Sequence, residues 1–599
     1  MKQKIKMLLQ GFLVAFALTS EFHMPLQMAA YESKLDYVIA SIYELLGEYN
    51  FQFILMWIVG TTFFYFFREK AKPKKNTSIL LAAFFALCLV FGNSYFKTNT
   101  SVYVLGSVVN FIKSIFAFAG YYCLIYVLIA LVFDMFEKKT FVDDTTHFFS
   151  KKAFLKTFLI LTVVYGIVIL ISYPGTLCWD VIGQIEQVTK ETGYSTHHPL
   201  AHTLLVGGLV KFGQVAFGSY EVGLFLYMLV QMLLLVIALS STVSVLAGRG
   251  MKFGYLLTLV LLYVITPLYT NIVSVAIKDV PYSAFLVGYV IYYVKLLEQP
   301  SKIQDKAFLC KFILLQIGVV LSRNNGLPLV VLCGIVAFIY FYKKYSWKEK
   351  LAYLFSAFLL SVAISKLILF LFMEVTGAVK GSSAEMLSIP FQQTARYLQL
   401  YQNEISEEEK EAIEKVLGDV SVVATKYNPE ISDDVKALFQ KDATTKEILN
   451  YMVAWAKGFM KHPGVYFEAF FIHVYGWFTP SATNAIRYET TYTEIAQTGL
   501  FPNAQKLLLF VYRFANRISF LGLLENIGAF VWGLFFFTFY QRKKKNKCFV
   551  YATLPLYVSL LICMASPCFI YHPRYAMPII FSLPFLYGYS LTAKKEERV

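Results

Sequence analysis

Long apolar segments recur along almost the whole of this chain of 599 residues, and they constrain its fold more than any other feature. A helix needs about 17 to 25 mostly apolar residues to cross the roughly 30 Å of hydrocarbon in a membrane. Hydrophobic residues make up 57% of the chain and charged residues only 15%, whereas soluble proteins are about 45 to 50% apolar. The sequence therefore predicts an all-α fold, a polytopic transmembrane helical bundle.

The hydropathy pattern predicts about fourteen membrane spans. They lie near residues 7–22, 51–67, 79–96, 114–135, 153–172, 222–247, 253–270, 280–296, 309–321, 327–342, 351–373, 520–540, 548–565 and 576–593. The segment 200–217 is also apolar, but a full crossing there would put the later basic loops on the opposite side of the membrane. Because short basic loops stay in the cytoplasm, this segment is expected to dip into the outer leaflet and return. Both termini are then cytoplasmic.

The net charge of +16 comes largely from Lys and Arg in the short loops between spans. This distribution indicates membrane orientation and gives no reason to expect a nucleic acid partner. The eight cysteines show no CxxC or Cys/His ligand spacing, and neither a phosphate-binding loop nor a dinucleotide motif is present. No protein metal ligands and no soluble nucleotide chemistry are therefore predicted.

The composition divides the chain into four regions. Residues 1–150 are N-terminal transmembrane helices, and 151–373 form a transmembrane core with an outer loop at 173–202. Residues 374–519 are predicted to form a small extracellular helical module followed by interfacial helices, and 520–599 are C-terminal transmembrane helices. Within the module, Ser406–Glu409 and Thr444–Glu447 have the spacing of capping boxes, which mark helix starts.

Polar and charged residues are predicted to converge on the external face. An ionisable group near hydrocarbon is costly unless it has a partner or a task, and the outer loop carries both Asp180 and His198. The predicted topology places further candidates on the same side: Lys278, Asp279, Arg323, Arg396, His572 and Arg574. Gln184 follows Asp180 by one helical turn, so the two side chains would share a helix face.

Four short motifs carry a resemblance to a known family. They are Asp180 in the outer loop, His198-Pro199-Leu200, the string 278–282 (KDVPY) and the string 572–578 (HPRYAMP). Their order and common sidedness resemble the GT-C superfamily, integral membrane glycosyltransferases that use polyprenyl-phosphate sugars. The strings at 389–396 and 462–480 resemble an uncharacterised bacterial branch of it. The chain departs from better-known members in having one acid in the first loop and at least four extra helices before the core.

The resemblance implies an inverting glycosyltransferase at the outer face of a bacterial cytoplasmic membrane. Its donor would be a polyprenyl-phosphate sugar, and its acceptor an envelope glycopolymer, a lipid or a protein. Asp180 would be the base that takes the acceptor proton. The leaving phosphate requires cations or donors placed beforehand, and the donor-binding candidates are Gln184, His198, Lys278, Asp279, Arg323, Arg396, His572 and Arg574. No cofactor is certain, and a requirement for Mg²⁺ or Mn²⁺ stays open.

The same residues allow other interpretations. Asp180 could cap a helix, and Lys278 and Asp279 could pair with neighbours. The histidines at 197, 198 and 202 could form hydrogen bonds at a helix start or, less readily, ligate a metal. At the level of the whole chain, the rivals are a transporter or lipid flippase of envelope precursors and a scaffold without catalysis. Transporters of common folds keep their site at the membrane midplane and often show repeats, and neither feature is apparent here.

Overall fold

The computed structural model describes residues 1–592 except 47–48, 68, 70–75, 139–140, 143–148, 191, 343–347, 481–494, 496–498 and 566–572. The first helices are α1 Lys2–Thr19, α2 Lys34–Leu46, α3 Phe51–Phe66, α4 Asn76–Thr98, α5 Val102–Leu105 and α6 Val108–Lys138. The core contains α7 Lys151–Ile171, β1 Thr176–Leu177, α8 Trp179–Thr189, α9 Leu200–Phe217, α10 Tyr220–Gly248, α11 Phe253–Ile265, α12 Pro267–Val273, β2 Val275–Ala276, α13 Asp279–Glu298, α14 Lys306–Ser322, α15 Gly326–Tyr342 and α16 Lys348–Thr376.

The remaining helices form the C-terminal part of the chain. They are α17 Ser388–Tyr401, α18 Glu407–Leu417, α19 Val420–Thr425, α20 Asp433–Lys436, α21 Thr445–Lys461, α22 Pro463–Val474, α23 Pro502–Arg517, α24 Ser519–Leu523, α25 Ile527–Lys543, α26 Lys547–Ala552, α27 Leu554–Ala565 and α28 Met577–Thr592. The predicted all-α polytopic class is confirmed. A helical backbone satisfies its own hydrogen bonds, which lipid cannot do.

Among the described residues, eight helices are long and apolar enough to cross a membrane. They are Ser78–Thr98, Val108–Lys138, Lys151–Ile171, Leu200–Phe217, Tyr220–Gly248, Asp279–Glu298, Ala352–Thr376 and Lys547–Ala565. The pair α11 and α12, bent by 54° at a break, would make a ninth. This number is smaller than the fourteen segments predicted from hydropathy, because several of those segments form shorter helices, such as α3 and α15.

The pairing of α7 with α10 shows how the chain returns after α7. Ser150, just before α7, donates its N–H to Ser244 O at 3.1 Å and accepts from the Ser244 hydroxyl at 2.8 Å. Beyond the other end of α7, the ring centroid of Tyr173 lies 5.3 Å from that of Phe225. The two helices are therefore antiparallel, and the chain between them begins and ends on one side of the bundle. The helix α9, which is long enough to cross a membrane, lies within this returning stretch.

Two helices of the core, α10 and α13, end beside the C-terminal helix α28 at the side opposite that return. The guanidinium of Arg249, which follows α10, lies 3.1 Å from the carboxylate of Glu298 at the end of α13. The same group donates to the Tyr589 hydroxyl at 3.0 Å and to the Thr592 hydroxyl at 2.9 Å in α28. We term this side the basic end, and the side that holds β1 and β2 the site end. Between the two ends, α13 is the most deeply buried of the eight long apolar helices.

Residues 383–461, termed the helical module, have a hydrophobic core of their own. Phe391, Leu398, Val416, Val423 and Tyr451 are fully or almost fully buried there. Both predicted capping boxes are formed: the side chain and backbone of the first residue each pair with the glutamate three positions on. These pairs satisfy amides that a helix start leaves free.

Candidate active site

Two short parallel strands set the position of the site. Thr176 pairs with Val275, and Leu177 pairs with Ala276. Each strand runs directly into a helix, so the parallel register brings the first turns of α8 and α13 side by side at the site end. Unpaired N–H groups and the helix dipole make such first turns favourable for negative charge. The fold thus places two helix N-termini around one point.

Asp180 in the first turn of α8 is held by two cations from distant parts of the chain. Lys278, the N-cap of α13, donates to Asp180 Oδ2 at 2.8 Å. Arg574, just before α28, donates to the same oxygen at 3.2 Å. The Asp180 side chain is 23% exposed and that of Arg574 is 10% exposed. Both cations therefore use Oδ2, and the carboxylate keeps partial access to solvent.

These neighbours decide the charge state of Asp180. Burial by itself would raise the pKa of this carboxyl, but Lys278 and Arg574 outweigh that effect and hold the pKa well below its usual range. A carboxylate between two cations is therefore ionised throughout the physiological range.

His198, at the start of α9, completes the cluster as a neutral ring. Lys278 Nζ lies 2.9 Å from His198 Nδ1. Because an ammonium group can only donate, Nδ1 must accept and the ring proton sits on Nε2. Burial, and after it the charge of Lys278, lowers the pKa of His198 to about 3. His198 therefore accepts a hydrogen bond from the Lys278 ammonium and adds no positive charge of its own.

A second ion pair lies beside the first, on the neighbouring residue of α13. Arg323 Nη1 lies 2.8 Å from Asp279 Oδ1, with the two side chains 7% and 0% exposed. The guanidinium also lies over the rings of Tyr282 at 5.6 Å and Tyr575 at 5.0 Å. Tyr575 in turn accepts from Arg574 Nη2 at 2.6 Å. Tyr575 therefore contacts both Arg323 and Arg574 and links the second ion pair to the Asp180 cluster.

Gln184 shares the α8 face of Asp180, but its side chain points into the protein. Gln184 is fully buried, donates to the Thr203 hydroxyl at 2.9 Å and lies 3.0 Å from His202 Nδ1. The packing of α8 against α9 therefore turns this amide inward, away from the Asp180 carboxylate, and the predicted contact of Gln184 with the donor stays a prediction.

Arg396 lies in a different cluster from the one predicted. It pairs with Glu468 of α22, and Glu468 accepts from the N–H and hydroxyl of Ser101 at 2.7 and 2.8 Å. Its guanidinium also lies 5.4 Å from the ring of Tyr427. This salt bridge connects the helical module with the loop before α5 and balances the charge of the buried arginine.

The last predicted residue is His572, and the last question is whether the described residues could hold a metal ion. His572 lies outside the described residues. In the described part of the chain, no three or more His, Cys, Asp and Glu side chains are grouped so that they could hold a metal ion. The carboxylates of Asp180 and Asp279 are each already paired with a cation.

The structure adds residues that the sequence motifs did not single out. Cys178 Sγ lies 3.3 Å from Arg574 Nη1 and helps to place that guanidinium. Gln231 in α10 binds the backbone on both sides of Ala276. A glutamine within an otherwise apolar span is costly unless it is paired, and this signal could have identified Gln231 from the sequence.

The segment just before the helical module forms a short backbone connection with the loop that carries His198. Thr196 N–H donates to Val379 O at 2.9 Å, and Val379 N–H donates to Tyr194 O at 3.0 Å. Gly381 N–H donates to the Thr196 hydroxyl at 3.0 Å. A Cβ on Gly381 would lie 2.8 Å from the Cα of His197. We term residues 379–381 the strap.

Comparison with known proteins gives a family and no activity. No characterised protein and no solved structure matches this chain significantly. One family model, described as a family of unknown function, matches residues 189–598, which include His198, Lys278, Arg323 and Arg574 and begin shortly after Asp180. Since this match covers more than half of the sequence, the chain belongs to the DUF6020 family.

Proposed function

We propose that this protein is a membrane glycosyltransferase of the GT-C type, which transfers a sugar from a polyprenyl-phosphate donor to a cell-envelope acceptor. The observation that carries the proposal is the Asp180 cluster: one carboxylate oxygen between Lys278 and Arg574, at 2.8 and 3.2 Å, beside two helix N-termini. A partly exposed acid among preorganised cations is what proton transfer to a base and departure of a phosphate both require.

The cations suit the leaving group. A polyprenyl phosphate gains negative charge as its bond to the sugar breaks, and fixed positive charge stabilises that change without reorganisation. Arg574 offers a forked donor for phosphate oxygens, and Lys278 offers a compact charge. The N-termini of α8 and α13 add the positive ends of two helix dipoles at the same point.

Asp180 suits the base. The acceptor hydroxyl gives its proton to the carboxylate, its oxygen bonds to the anomeric carbon, and the bond from that carbon to the phosphate oxygen breaks with its electron pair. The cations occupy Oδ2, so Oδ1 is the oxygen for the acceptor. Inversion at the anomeric carbon is what the GT-C resemblance implies.

Donor binding would also activate this base. In the absence of donor, Lys278 and Arg574 depress the pKa of Asp180, which weakens it as a proton acceptor. A bound phosphate attracts the same two cations, so the pKa of Asp180 rises when the donor is in place. The acid then becomes an effective base only in the complex.

The setting of the proposal is the outer face of a bacterial cytoplasmic membrane, with both termini in the cytoplasm. Apolar helices of spanning length and a polar site at one end of the bundle support a lipid-anchored donor that enters from the side. The acceptor would be an envelope glycopolymer, a lipid or a protein, and chelation would test whether transfer requires Mg²⁺ or Mn²⁺.

The decisive experiment uses purified protein in lipid vesicles with a panel of labelled undecaprenyl-phosphate sugars. Asp180→Asn should reduce sugar transfer by at least about 100-fold and leave the folded protein intact. The matched control is Asp305→Asn, because Asp305 caps α14, where asparagine caps equally well, and its carboxylate also forms an exposed ion pair with Lys302. Normal transfer by Asp180→Asn would show that this residue is not the base. Movement of intact donor across the bilayer without its consumption would favour the flippase.

A further inference from the structure

A continuous chain of buried polar side chains runs behind the Asp180 cluster. Gln184 Oε1 lies 3.0 Å from His202 Nδ1, and His202 Nε2 lies 2.6 Å from the Tyr227 hydroxyl. That hydroxyl lies 3.0 Å from Gln231 Oε1. His202 is 3% exposed and the other three side chains are fully buried. Burying four polar side chains in an apolar core is costly unless their hydrogen bonds are made.

The far end of this chain holds the strand that leads to Lys278. Gln231 Nε2 donates to Val275 O at 2.7 Å, and Gln231 Oε1 accepts from Ile277 N–H at 3.1 Å. One amide therefore binds the backbone on both sides of Ala276. Lys278 follows Ile277 directly, so the side chain of Gln231 fixes the point from which the Lys278 side chain begins.

The near end of the chain holds the helix that carries Asp180. Gln184 is four residues after Asp180 on α8, and it is fixed by Thr203 and His202 of α9. α9 packs closely against α8 at Gly207, where an added Cβ would lie 2.3 Å from a methyl group of Val188. Gln184 thus ties the first turns of α8 to α9.

We infer that Gln231, acting through Tyr227 and His202, is a positioning residue that sets the distance between Asp180 and Lys278. The chain connects α8, α9, α10 and β2 through side chains alone, from the helix of the acid to the strand of its cation. The inference deepens the proposed glycosyl transfer, on which its kinetic consequence rests. Its structural consequence, the placement of the Lys278 ammonium, holds for any reaction at this site.

The expected loss of turnover follows from the displacement of Lys278. Displacement of a reacting group by about 1 Å costs about 100-fold in rate. Loss of the amide of Gln231 frees β2 at the residue before Lys278, so the ammonium loses its fixed distance of 2.8 Å to Asp180. Turnover of bound substrate should suffer, while the contacts that hold the lipid tail and the sugar are untouched.

The test combines two measurements on the full-length protein in lipid vesicles. Gln231→Leu should lower kcat for sugar transfer about 100-fold and change KM by less than about threefold. Independently of any donor, trace acetylation with acetic anhydride, followed by mass spectrometry, should modify Lys278 several times faster in Gln231→Leu than in the wild type. Tyr227→Phe, which removes one link and keeps the ring, should show both effects in weaker form and guards against misfolding of the first variant.

Gln316→Leu is the matched control. Gln316 is also a fully buried glutamine, and its amide lies between Phe312 O and the Ser361 hydroxyl in α14 and α16. This variant should lose similar stability and leave Lys278 labelling and kcat unchanged. Wild-type labelling of Lys278 in Gln231→Leu and Tyr227→Phe, or equal effects in the control, would overturn the inference. Faster labelling in a protein that transfers none of the sugars tested would uphold the positioning role and count against the proposed function.

Discussion

The buried pair of Asp279 and Arg323 allows a quantitative test of the structure. Neither partner is more than 7% exposed, and the charged atoms lie 2.8 Å apart. In the described part of the chain, neither oxygen of Asp279 accepts a regular hydrogen bond, so Arg323 is what balances this charge. Arg323→Met should therefore destabilise the protein by about 3 to 5 kcal/mol, the cost of leaving a buried charge without its partner.

Asp279→Asn should cost less. Arg323 would keep the rings of Tyr282 and Tyr575, at 5.6 and 5.0 Å, and each such contact is worth about 0.5 to 2 kcal/mol. We expect a loss of about 1 to 3 kcal/mol for this variant. The double variant should be at least about 2 kcal/mol more stable than the sum of the two losses predicts. Arg323→Met leaves the Asp279 carboxylate without a partner, and Asp279→Asn then removes that charge.

The measurement is the reversible unfolding free energy in bicelles for the wild type, both single variants and the double variant. A parallel transfer assay should show that activity is lost in every variant. The double variant regains stability, but like the single variants it lacks the ion pair beside the site. Losses that add to within about 0.5 kcal/mol would mean that the two groups do not interact. In that case the geometry derived for this side of the site would be wrong.

Three further predictions concern the site and its connections. His198→Gln should remove a pH dependence of stability. The pKa of His198 in the folded protein is lowered to about 3, so as the pH falls from 6.5 to 5.5 this histidine is protonated only in the unfolded chain, which costs the wild type about 1 kcal/mol of stability. Thermal unfolding at both pH values measures this difference. Gly381→Val should separate the strap from His197 and lower transfer, with a stability cost of about 1 to 3 kcal/mol, whereas Gly464→Val, at a position with open space, should keep activity. Ser406→Ala should cost about 1 kcal/mol, seen as faster hydrogen exchange confined to the helical module; unchanged exchange would refute the role of this cap.

Features that depend on local sequence were predictable. The capping boxes at Ser406 and Thr444 follow from side-chain and backbone groups three residues apart. The all-α polytopic class followed from the long apolar segments. In both cases the determining pattern lies within one stretch of the sequence, and no tertiary contact is needed to see it.

Features that depend on side-chain direction were not predictable. Arg396 and Glu468 are 72 residues apart, and nothing local shows that they meet. Gln184 has the helical spacing to face the same way as Asp180, but the close approach of α9 turns its amide inward. The convergence of Asp180, Lys278 and Arg574 could be proposed from sidedness alone, whereas the shared oxygen required the pairing of β1 with β2.

The strap has a consequence for how ligands act at a distance. Amide hydrogens of Thr196 and Val379 take part in its pairing, so they exchange with solvent only when the two segments separate. If the loop around His198 and residues 383–461 change arrangement together through this pairing, a ligand that favours one arrangement of the loop changes the affinity of the helical module for its own ligand, and the change is reciprocal. Under the proposed function, this coupling would link the affinities for donor and acceptor even if the two molecules never touch.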